Sequence, residues 1–397
     1  MEAAPGAKSC GKGGPTPPPT QTGKSSGRGG GAAAAARPAA PGGGLADLLA
    51  ARRSSLRRTT PPREQLHLVD VSEQSAAHRQ RYFASAADRW LFEPGVAEWT
   101  FPTCFLELTA PAARDLVAGA AGTPALRSLE AAIDAEMRRR GWPRSFAKLT
   151  TFSPKDSPLV LEAARARLLE RPGVRGPAAL RALGECMTEA LGISGGAEAT
   201  RLLGSSERVK CDLQDALASQ GEKEPTPVPS VCLRSWSGAL PVWSEFRGFV
   251  WQGQLNAVGQ YVYNICFEEL QDEATLKRIE ADILEAWRTL GPLLVPTQPT
   301  CIVDFAWSPD GFAWAGGRKV ILIEVNPFDG VNLGMGELTT GIFKLRDNAS
   351  DLEIVKSGPF ELRVKRDAMS EEDFQAIVRG LPSKQREVFE RLEAAAR

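Results

Sequence analysis

Residues 320–328, which read VILIEVNPF, show the clearest alternation of apolar and polar positions in the chain. Successive side chains of a β-strand point to opposite faces, so this pattern predicts a strand with Glu324 and Asn326 on one face. The apolar residues of the opposite face are Ile321, Ile323 and Val325. A carboxylate and an amide are therefore expected to project side by side.

Residues 301–307, CIVDFAW, form a second strand-like segment in which Asp304 is the only charge. Residues 308–311, SPDG, predict a turn between the two strands. Antiparallel pairing could then bring Asp304 opposite Glu324. Oxygen donors gathered in this way suit a hard cation such as Mg²⁺. The alternative interpretation is a strand end whose acidic residues face solvent.

Apolar residues at helical spacing predict a helix over residues 124–140. Thr123 is placed to cap its N-terminus, Pro124 suits its first position, and Gly141 follows its end. Further helices are predicted over residues 159–169, 177–191, 206–219 and 268–290, with two more in residues 370–397.

Residues 145–149, SFAKL, predict a short strand that places Lys148 on the same face as Thr150. A lysine in an otherwise apolar strand either reaches water at a sheet edge or binds an anion. Residues 231–236 and 360–364 predict two further strands.

Residues 244–261 predict a β-hairpin that turns at Gln252 and Gly253. Pairing about that turn sets Arg247 across from Val258 and Glu245 across from Gln260. An arginine in the middle of a strand is expected to pair with a carboxylate such as Glu245 or to face an anion.

Composition narrows the possible chemistry. The chain has 397 residues, zero net charge, seven cysteines and only two histidines, His67 and His78. Both histidines precede the region of strand and helix patterns, so histidine-based nucleophilic catalysis and a histidine-bound zinc are not expected in the folded part. The neutral charge gives no argument for nucleic acid, and no apolar run is long enough to cross a membrane.

The N-terminal region differs from the rest of the chain. Residues 1–63 contain ten Lys or Arg against Glu2 and Asp47, among clusters of Gly, Pro, Ala and Ser. Such a sequence buries too little apolar surface to offset its ordering entropy, so residues 1–80 are predicted to be disordered. The arginines also permit an organelle transit peptide. A cytoplasmic location is expected, with an organelle as the alternative.

Five segments, taken in order, resemble the cell division cycle protein 123 (D123) family. They are SFAKLTTFSPKDS, VCLRSW, SEFRGFV, CIVDFAW and LIEVNPF. The resemblance spans about residues 101–366 and implies an α+β protein with an ATP-grasp fold, in which two lobes with antiparallel sheets and flanking helices enclose a nucleotide cleft. The implied divisions are an N-terminal lobe of about residues 81–230, a C-terminal lobe of about 231–370, and C-terminal helices in 370–397.

The family binds ATP and Mg²⁺ between its lobes, and the resemblance assigns roles to individual residues. Lys148 would contact phosphates, and Arg247 would neutralise phosphate charge. The adenine edge would meet the backbone of Cys232 and Leu233. The implied cofactor-binding residues are Lys148, Thr150, Cys232, Leu233, Arg234, Trp236, Arg247, Asp304, Glu324 and Asn326, and those implied to hold Mg²⁺ are Asp304, Glu324 and Asn326.

The sequence departs from the family pattern at two positions. Glu324 stands where the family commonly has aspartate, a change that keeps a chelating carboxylate. Tyr261 stands where the family often has an arginine, so one phosphate contact is expected to be missing.

Two functions are compatible with these residues. The resemblance implies an ATP-dependent assembly factor, a chaperone that binds the gamma subunit of translation initiation factor 2. The second possibility is an ATP-grasp ligase that activates a carboxylate as an acyl phosphate and joins it to an amine or thiol. Both require ATP and Mg²⁺, and the sequence shows no convincing acceptor pocket. The assembly factor is preferred, and enzymatic activity stays open.

Overall fold

The computed structural model describes residues 83–328 except 172, 222–224, 237 and 239, together with residues 342–343, 345, 348–380 and 383–395. The disorder predicted for residues 1–80 lies outside the described residues.

The described residues form strands that assemble into two sheets. The strands are β1 (Thr103–Leu106), β2 (Ser145–Leu149), β3 (Gly192–Ile193), β4 (Val231–Ser235), β5 (Glu245–Trp251), β6 (Gln254–Gln260), β7 (Cys301–Phe312), β8 (Arg318–Pro327) and β9 (Glu361–Arg363). The first sheet has the order β1-β4-β2-β3 and the second has the order β8-β7-β5-β6-β9.

Helices accompany both sheets. They are α1 (Ala87–Trp90), α2 (Ala110–Ala118), α3 (Pro124–Arg140), α4 (Pro158–Leu169), α5 (Pro177–Glu189), α6 (Gly196–Ser205), α7 (Glu207–Ala218), α8 (Glu273–Leu294), α9 (Ala349–Ser357), α10 (Glu371–Gly380) and α11 (Ser383–Ala395). The predicted α+β class is confirmed. The second sheet is mixed rather than purely antiparallel, because β9 pairs with β6 in parallel. Within the described residues, no helix is both long enough and apolar enough to span a bilayer.

Helix α3 has the bounds that its sequence predicts. The hydroxyl oxygen of Thr123 accepts a hydrogen bond from the Leu126 N–H at 3.2 Å, and Gly141 ends the helix in the left-handed region with φ 67°. Both caps provide hydrogen-bond partners for backbone groups that have none at a helix end. Because the capping residues are neighbours in the sequence, the local sequence predicts the bounds of this helix correctly.

Helix α8 begins later than predicted. The carboxylate of Asp272 accepts a hydrogen bond from the Thr275 N–H at 2.8 Å and caps the helix, while Glu268–Leu270 form a separate 3₁₀ turn. The helix is tied to the second sheet because the indole N–H of Trp307 donates to Asp282 at 2.8 Å.

Strand β4 begins at residue 231, where the boundary between the two lobes is expected. It lies inside the first sheet, hydrogen-bonded to β1 on one side and to β2 on the other. The chain therefore leaves the first sheet after Ser235 rather than at residue 231. One continuous hydrophobic core contains residues of both sheets, including Leu233, Phe246 and Val303.

The β5–β6 hairpin turns at Gln252 and Gly253, as predicted, with φ of 48° and 85°. Its predicted register is wrong by one residue, because Arg247 pairs with Gly259 and Phe246 with Gln260. The shift arises at Asn256, an extra residue of β6 that has no partner in the register. A bulge of this kind changes the partner of every residue beyond it.

The β7–β8 hairpin confirms one prediction and overturns another. Asp304 lies opposite Glu324, as expected. The SPDG segment does not reverse the chain, because β7 continues to Phe312, which pairs with Arg318. The reversal uses a 3₁₀ turn, Ala313–Ala315, followed by two glycines with positive φ. SPDG instead forms an irregular part of β7.

Gly248 lies where β5 passes between β6 and β7, next to Arg247. A Cβ atom there would lie 2.8 Å from Leu255 Cδ1, 2.9 Å from Val303 Cγ2 and 3.1 Å from Phe305 Cε2. We therefore expect Gly248→Ala to lower the free energy of unfolding by about 1–3 kcal/mol through overpacking. Urea denaturation of purified protein measures this.

Gly204→Ala is the matched control. Its Cβ would lie 3.4 Å from Leu116 Cδ2 inside α6, where alanine is favoured over glycine by up to about 1 kcal/mol. Equal stability of the two variants would contradict the packing argument.

Candidate functional site

Lys148 on β2 is buried, with 2% of its side chain exposed, although among the described strands β2 is paired only with β4 at this position, because β3 pairs with Ser145 and Phe146. Its ammonium group donates a hydrogen bond to Oε1 of Glu324 on β8. The lysine belongs to the first sheet and the glutamate to the second, so the ion pair joins the two sheets.

A bulge in β8 determines how Glu324 is presented. Asp304 pairs with Glu324 and Phe305 with Leu322, which leaves Ile323 as an extra residue. As a result Ile323 and Glu324 both line one cleft. The prediction that Val325 shares a face with Ile321 and Ile323 is wrong, because Val325 lies in the main core instead.

The charge of Glu324 depends on neighbouring cations. Burial alone would raise the pKa of its carboxyl, but the ammonium groups of Lys148 and Lys155 outweigh burial and lower the pKa to about 2. Glu324 is therefore a carboxylate at neutral pH. Burial raises the pKa of Glu245, another carboxyl of the same region.

Arg247 pairs with Asp304. Its Nε lies 2.7 Å from one carboxylate oxygen and its Nη2 lies 2.8 Å from the other. The two residues are direct partners in the β5–β7 register, so their side chains share a face. Glu245, the carboxylate suggested by the sequence, is therefore not the partner found in this geometry.

The predicted metal ligands lie together at this place. Asn326 Nδ2 donates to Asp304 Oδ2 at 3.1 Å, and Asp304 also accepts both bonds from Arg247. Within the described residues, no three His, Cys, Asp or Glu side chains converge as a metal site. The candidate donors are thus two carboxylates and the amide oxygen of Asn326, an all-oxygen set that fits Mg²⁺.

The cleft beside this cluster has a volume of about 700 Å³, including the space open to solvent. Its charged lining consists of Lys148, Lys155, Arg234, Glu245 and Glu324. Its apolar lining consists of Phe101, Phe146, Leu191, Leu240 and Ile323. Three cations against two carboxylates leave the lining positively charged.

Arg234 and Trp236 present unused hydrogen-bond donors. Arg234 is 3% exposed, and its Nη1 donates to the Ile323 carbonyl at 2.6 Å. Nε and Nη2 of Arg234 and Nε1 of Trp236 are buried and have no acceptor among the described residues. Buried donors without partners are costly, so these atoms favour a ligand that brings acceptors.

Six predicted residues are absent from the described lining of the cleft, namely Thr150, Cys232, Leu233, Arg247, Asp304 and Asn326. Thr150 is buried. Cys232 and Leu233 are fully buried on β4. Strand β4 is paired on both sides at these residues, so their backbone N–H and C=O groups take part in the hydrogen bonding of the sheet. The adenine contact through Cys232 and Leu233 stays a prediction.

Two charged residues of the cleft, Lys155 and Glu245, are missing from the predicted set. Lys155 belongs to the SPKD segment, whose aspartate has a structural task. Asp156 accepts hydrogen bonds from the Ser206 hydroxyl at 2.5 Å and from the Arg208 N–H at 3.0 Å, so it anchors the segment to the start of α7. The sequence around a lysine in a polar turn does not indicate that the lysine faces a cleft, because the cleft is formed by strands that are distant in the sequence.

The fold and the cleft together define an α+β protein with a cationic site bounded by two sheets. The family model D123 matches residues 186–357. This match agrees with the D123 resemblance over a segment that contains β4 to β8 but not Lys148. No curated protein matches the chain.

Two solved structures are similar to this chain. The structure of Cdc123 from Schizosaccharomyces pombe shares 18% identity at a TM-score of 0.48 and covers 72% of this chain and 96% of its own. A C-terminally truncated Cdc123 from the same organism shares 16% identity at a TM-score of 0.48, with coverages of 72% and 98%.

The pair between Lys148 and Glu324 should contribute more to stability than an exposed pair. A double-mutant cycle with Lys148→Met and Glu324→Gln is expected to give a coupling energy of about 2 kcal/mol, because a deeply buried ammonium group loses its counter-charge. Guanidinium chloride unfolding of the four proteins measures it.

The control cycle uses Arg288→Met and Glu285→Gln, a pair whose side chains are 71% and 70% exposed. Solvent screening should limit its coupling to below about 1 kcal/mol. If the two cycles gave the same coupling energy, burial would not strengthen the Lys148–Glu324 pair.

Proposed function

We propose that this D123-family protein binds Mg²⁺-ATP in the cleft and acts in the cytoplasm as an assembly factor for translation initiation factor 2, by binding its gamma subunit. The observation that carries the nucleotide part is the meeting of Lys148 from one sheet with Glu324 from the other, in a cleft lined by an excess of cations.

The triphosphate would lie at the charged part of the cleft. A polyanion gains from the net positive lining, and its oxygens supply acceptors for the unused donors of Arg234. Lys148 could then exchange Glu324 for a phosphate oxygen. The apolar lining would exclude water from the rest of the nucleotide.

Glu324, Asn326 and Asp304 would hold Mg²⁺, which when bound neutralises charge on the phosphate oxygens. Arg247 has the further task of orienting Asp304, because it binds both oxygens of that carboxylate. The pairing of Asn326 Nδ2 with Asp304 leaves the amide oxygen of Asn326 for the ion.

The assembly role rests on the D123 match together with the family resemblance of the site motifs. An ATP-grasp ligase would use the same nucleotide site. The assembly factor and the ligase therefore differ in the partner or substrate that they bind and not in the nucleotide cleft.

Replacing Asn326 by Leu tests the nucleotide site. The change keeps approximate size and removes a metal oxygen, so Mg²⁺-ATP affinity should fall by about tenfold, or ~1.4 kcal/mol. Isothermal titration calorimetry with ATP in magnesium and in EDTA measures this. The parent should bind more tightly in magnesium.

Val325→Ala is the control on the same strand. Val325 is buried in the main core, so its truncation should cost about 1–3 kcal/mol of stability without changing Mg²⁺-ATP affinity. Unaltered binding by Asn326→Leu would remove this strand from the metal site.

Affinity purification from native lysate tests the partner. We expect the tagged full chain, with Mg²⁺-ATP present, to recover initiation factor 2 gamma, and the Asn326→Leu variant to recover less. Mass spectrometry identifies the captured proteins. Recovery of no initiation factor subunit, together with ADP release on a carboxylate metabolite, would favour the ligase instead.

A further inference from the structure

Arg144 and Trp236 lie next to each other at one end of the first sheet. Arg144 directly precedes β2 and Trp236 directly follows β4, and the Trp236 backbone N–H donates a hydrogen bond to the Arg144 carbonyl at 3.2 Å. The guanidinium carbon of Arg144 lies 5.1 Å from the centre of the indole ring, which is within the range of cation–π attraction. The two side chains therefore pack against each other.

The face of the sheet on which they pack is the one that bounds the cleft. Side chains two residues apart on a strand share a face, and Phe146 and Lys148, which follow Arg144 at this interval, line the cleft together with Trp236. Arg144 itself is absent from the described lining. Its guanidinium group is thus a neighbour of the cleft wall and not part of the described surface.

Arg144 is held by the chain segment that enters β3. Its Nη1 donates to Oε1 of Glu189 at 2.5 Å, and its Nη2 donates to the carbonyl oxygens of Glu189 at 3.1 Å and of Gly192 at 3.3 Å. The planar fork of an arginine can serve such a set of acceptors, whereas the ammonium group of a lysine is a compact point charge. These hydrogen bonds fix the guanidinium group that packs against the indole ring.

Gly192 on β3 leaves room for this packing. A Cβ atom there would lie 2.8 Å from Arg144 Cζ and 3.0 Å from Trp236 Cε2, closer than the roughly 3.5–4.0 Å at which carbon atoms pack best. Any larger residue at this position would therefore displace one of the two groups. Arg144, Glu189 and Gly192 all lie outside the five segments that carry the family resemblance.

Trp236 lies at some distance from the lysine that would bind phosphate. Lys148 pairs with Cys232 in the β2–β4 register. Trp236 is four residues further along the chain, or about 13 Å at about 3.3 Å per strand residue. Because the cleft contains both Lys148 and Trp236, a ligand whose phosphates lie at Lys148 would present its nucleoside part to the indole ring.

We propose that Arg144, held by Glu189, is a positioning residue that fixes the ring of Trp236 as a wall for the nucleoside part of the ligand. The inference rests on the proposed function, since it takes Mg²⁺-ATP as the ligand. Arg144 covers one face of the indole ring, so a planar group can stack only on the other face. A ring that is already fixed loses less conformational entropy when the ligand binds.

The binding test compares Arg144→Met with Arg138→Met, which removes the same charge from an exposed position on α3. Mg²⁺-ATP and magnesium tripolyphosphate, which has no nucleoside, are titrated calorimetrically into each full-length protein. Arg144→Met should weaken Mg²⁺-ATP by about fivefold and leave tripolyphosphate unchanged. Arg144→Lys should behave like Arg144→Met, because an ammonium group cannot reproduce the planar fork. Arg138→Met should bind both ligands like the parent.

Fluorine NMR reports the position of the ring itself. In protein labelled with fluorotryptophan, the Trp236 resonance is the one that is missing from Trp236→Phe. Arg144→Met and Gly192→Ala should each shift or broaden this resonance without ligand, whereas Arg138→Met should leave it unchanged. Combining Arg144→Met with Gly192→Ala should add little further loss of Mg²⁺-ATP affinity, because both changes act through one ring.

The outcomes separate this inference from the proposed function. If the parent binds Mg²⁺-ATP and Arg144→Met binds it equally well, the inference is wrong and the nucleotide site stands. The inference is also wrong if the Trp236 resonance of Arg144→Met matches that of the parent, or if tripolyphosphate is weakened as much as Mg²⁺-ATP. If the parent binds no Mg²⁺-ATP, both the proposed function and this inference fall.

Discussion

A buried lysine requires an opposite charge, and this requirement shapes the centre of the molecule. Lys148 is almost fully enclosed on β2 and finds its counter-charge on β8, in the other sheet. Removing an ammonium group from water costs several kcal/mol unless a partner compensates. The two sheets are therefore coupled electrostatically at the same place where one hydrophobic core joins them.

The same constraint gives the site its character. The ion pairs Lys148–Glu324 and Arg247–Asp304 each have a net charge close to zero. Lys155 and two nitrogens of Arg234 add hydrogen-bond donors that have no carboxylate partner in the described structure. A site of this composition is poised for a ligand that carries several negative charges together with a cation. Phosphates with Mg²⁺ meet that description, which is the physical basis of the proposal.

Strand irregularities decide which side chains serve the cleft. The extra residue Asn256 shifts the register of β6 relative to β5, and the extra residue Ile323 turns two successive side chains of β8 towards the cleft. Strict alternation would have placed Ile323 in the core and Val325 beside it. A bulge costs part of the ladder hydrogen bonding, and such features often occur near functional sites.

Local sequence by itself determined the elements whose signals are local. The caps of α3, the turn at Gln252 and Gly253, and the shared face of Glu324 and Asn326 follow from neighbouring residues, because backbone caps, positive φ and strand period act over a few positions. Only the tertiary structure decided the partner of Arg247, the enclosure of β4 on both edges and the place of Lys155 in the cleft. These depend on registers between strands 50 or more residues apart, which no short-range pattern encodes.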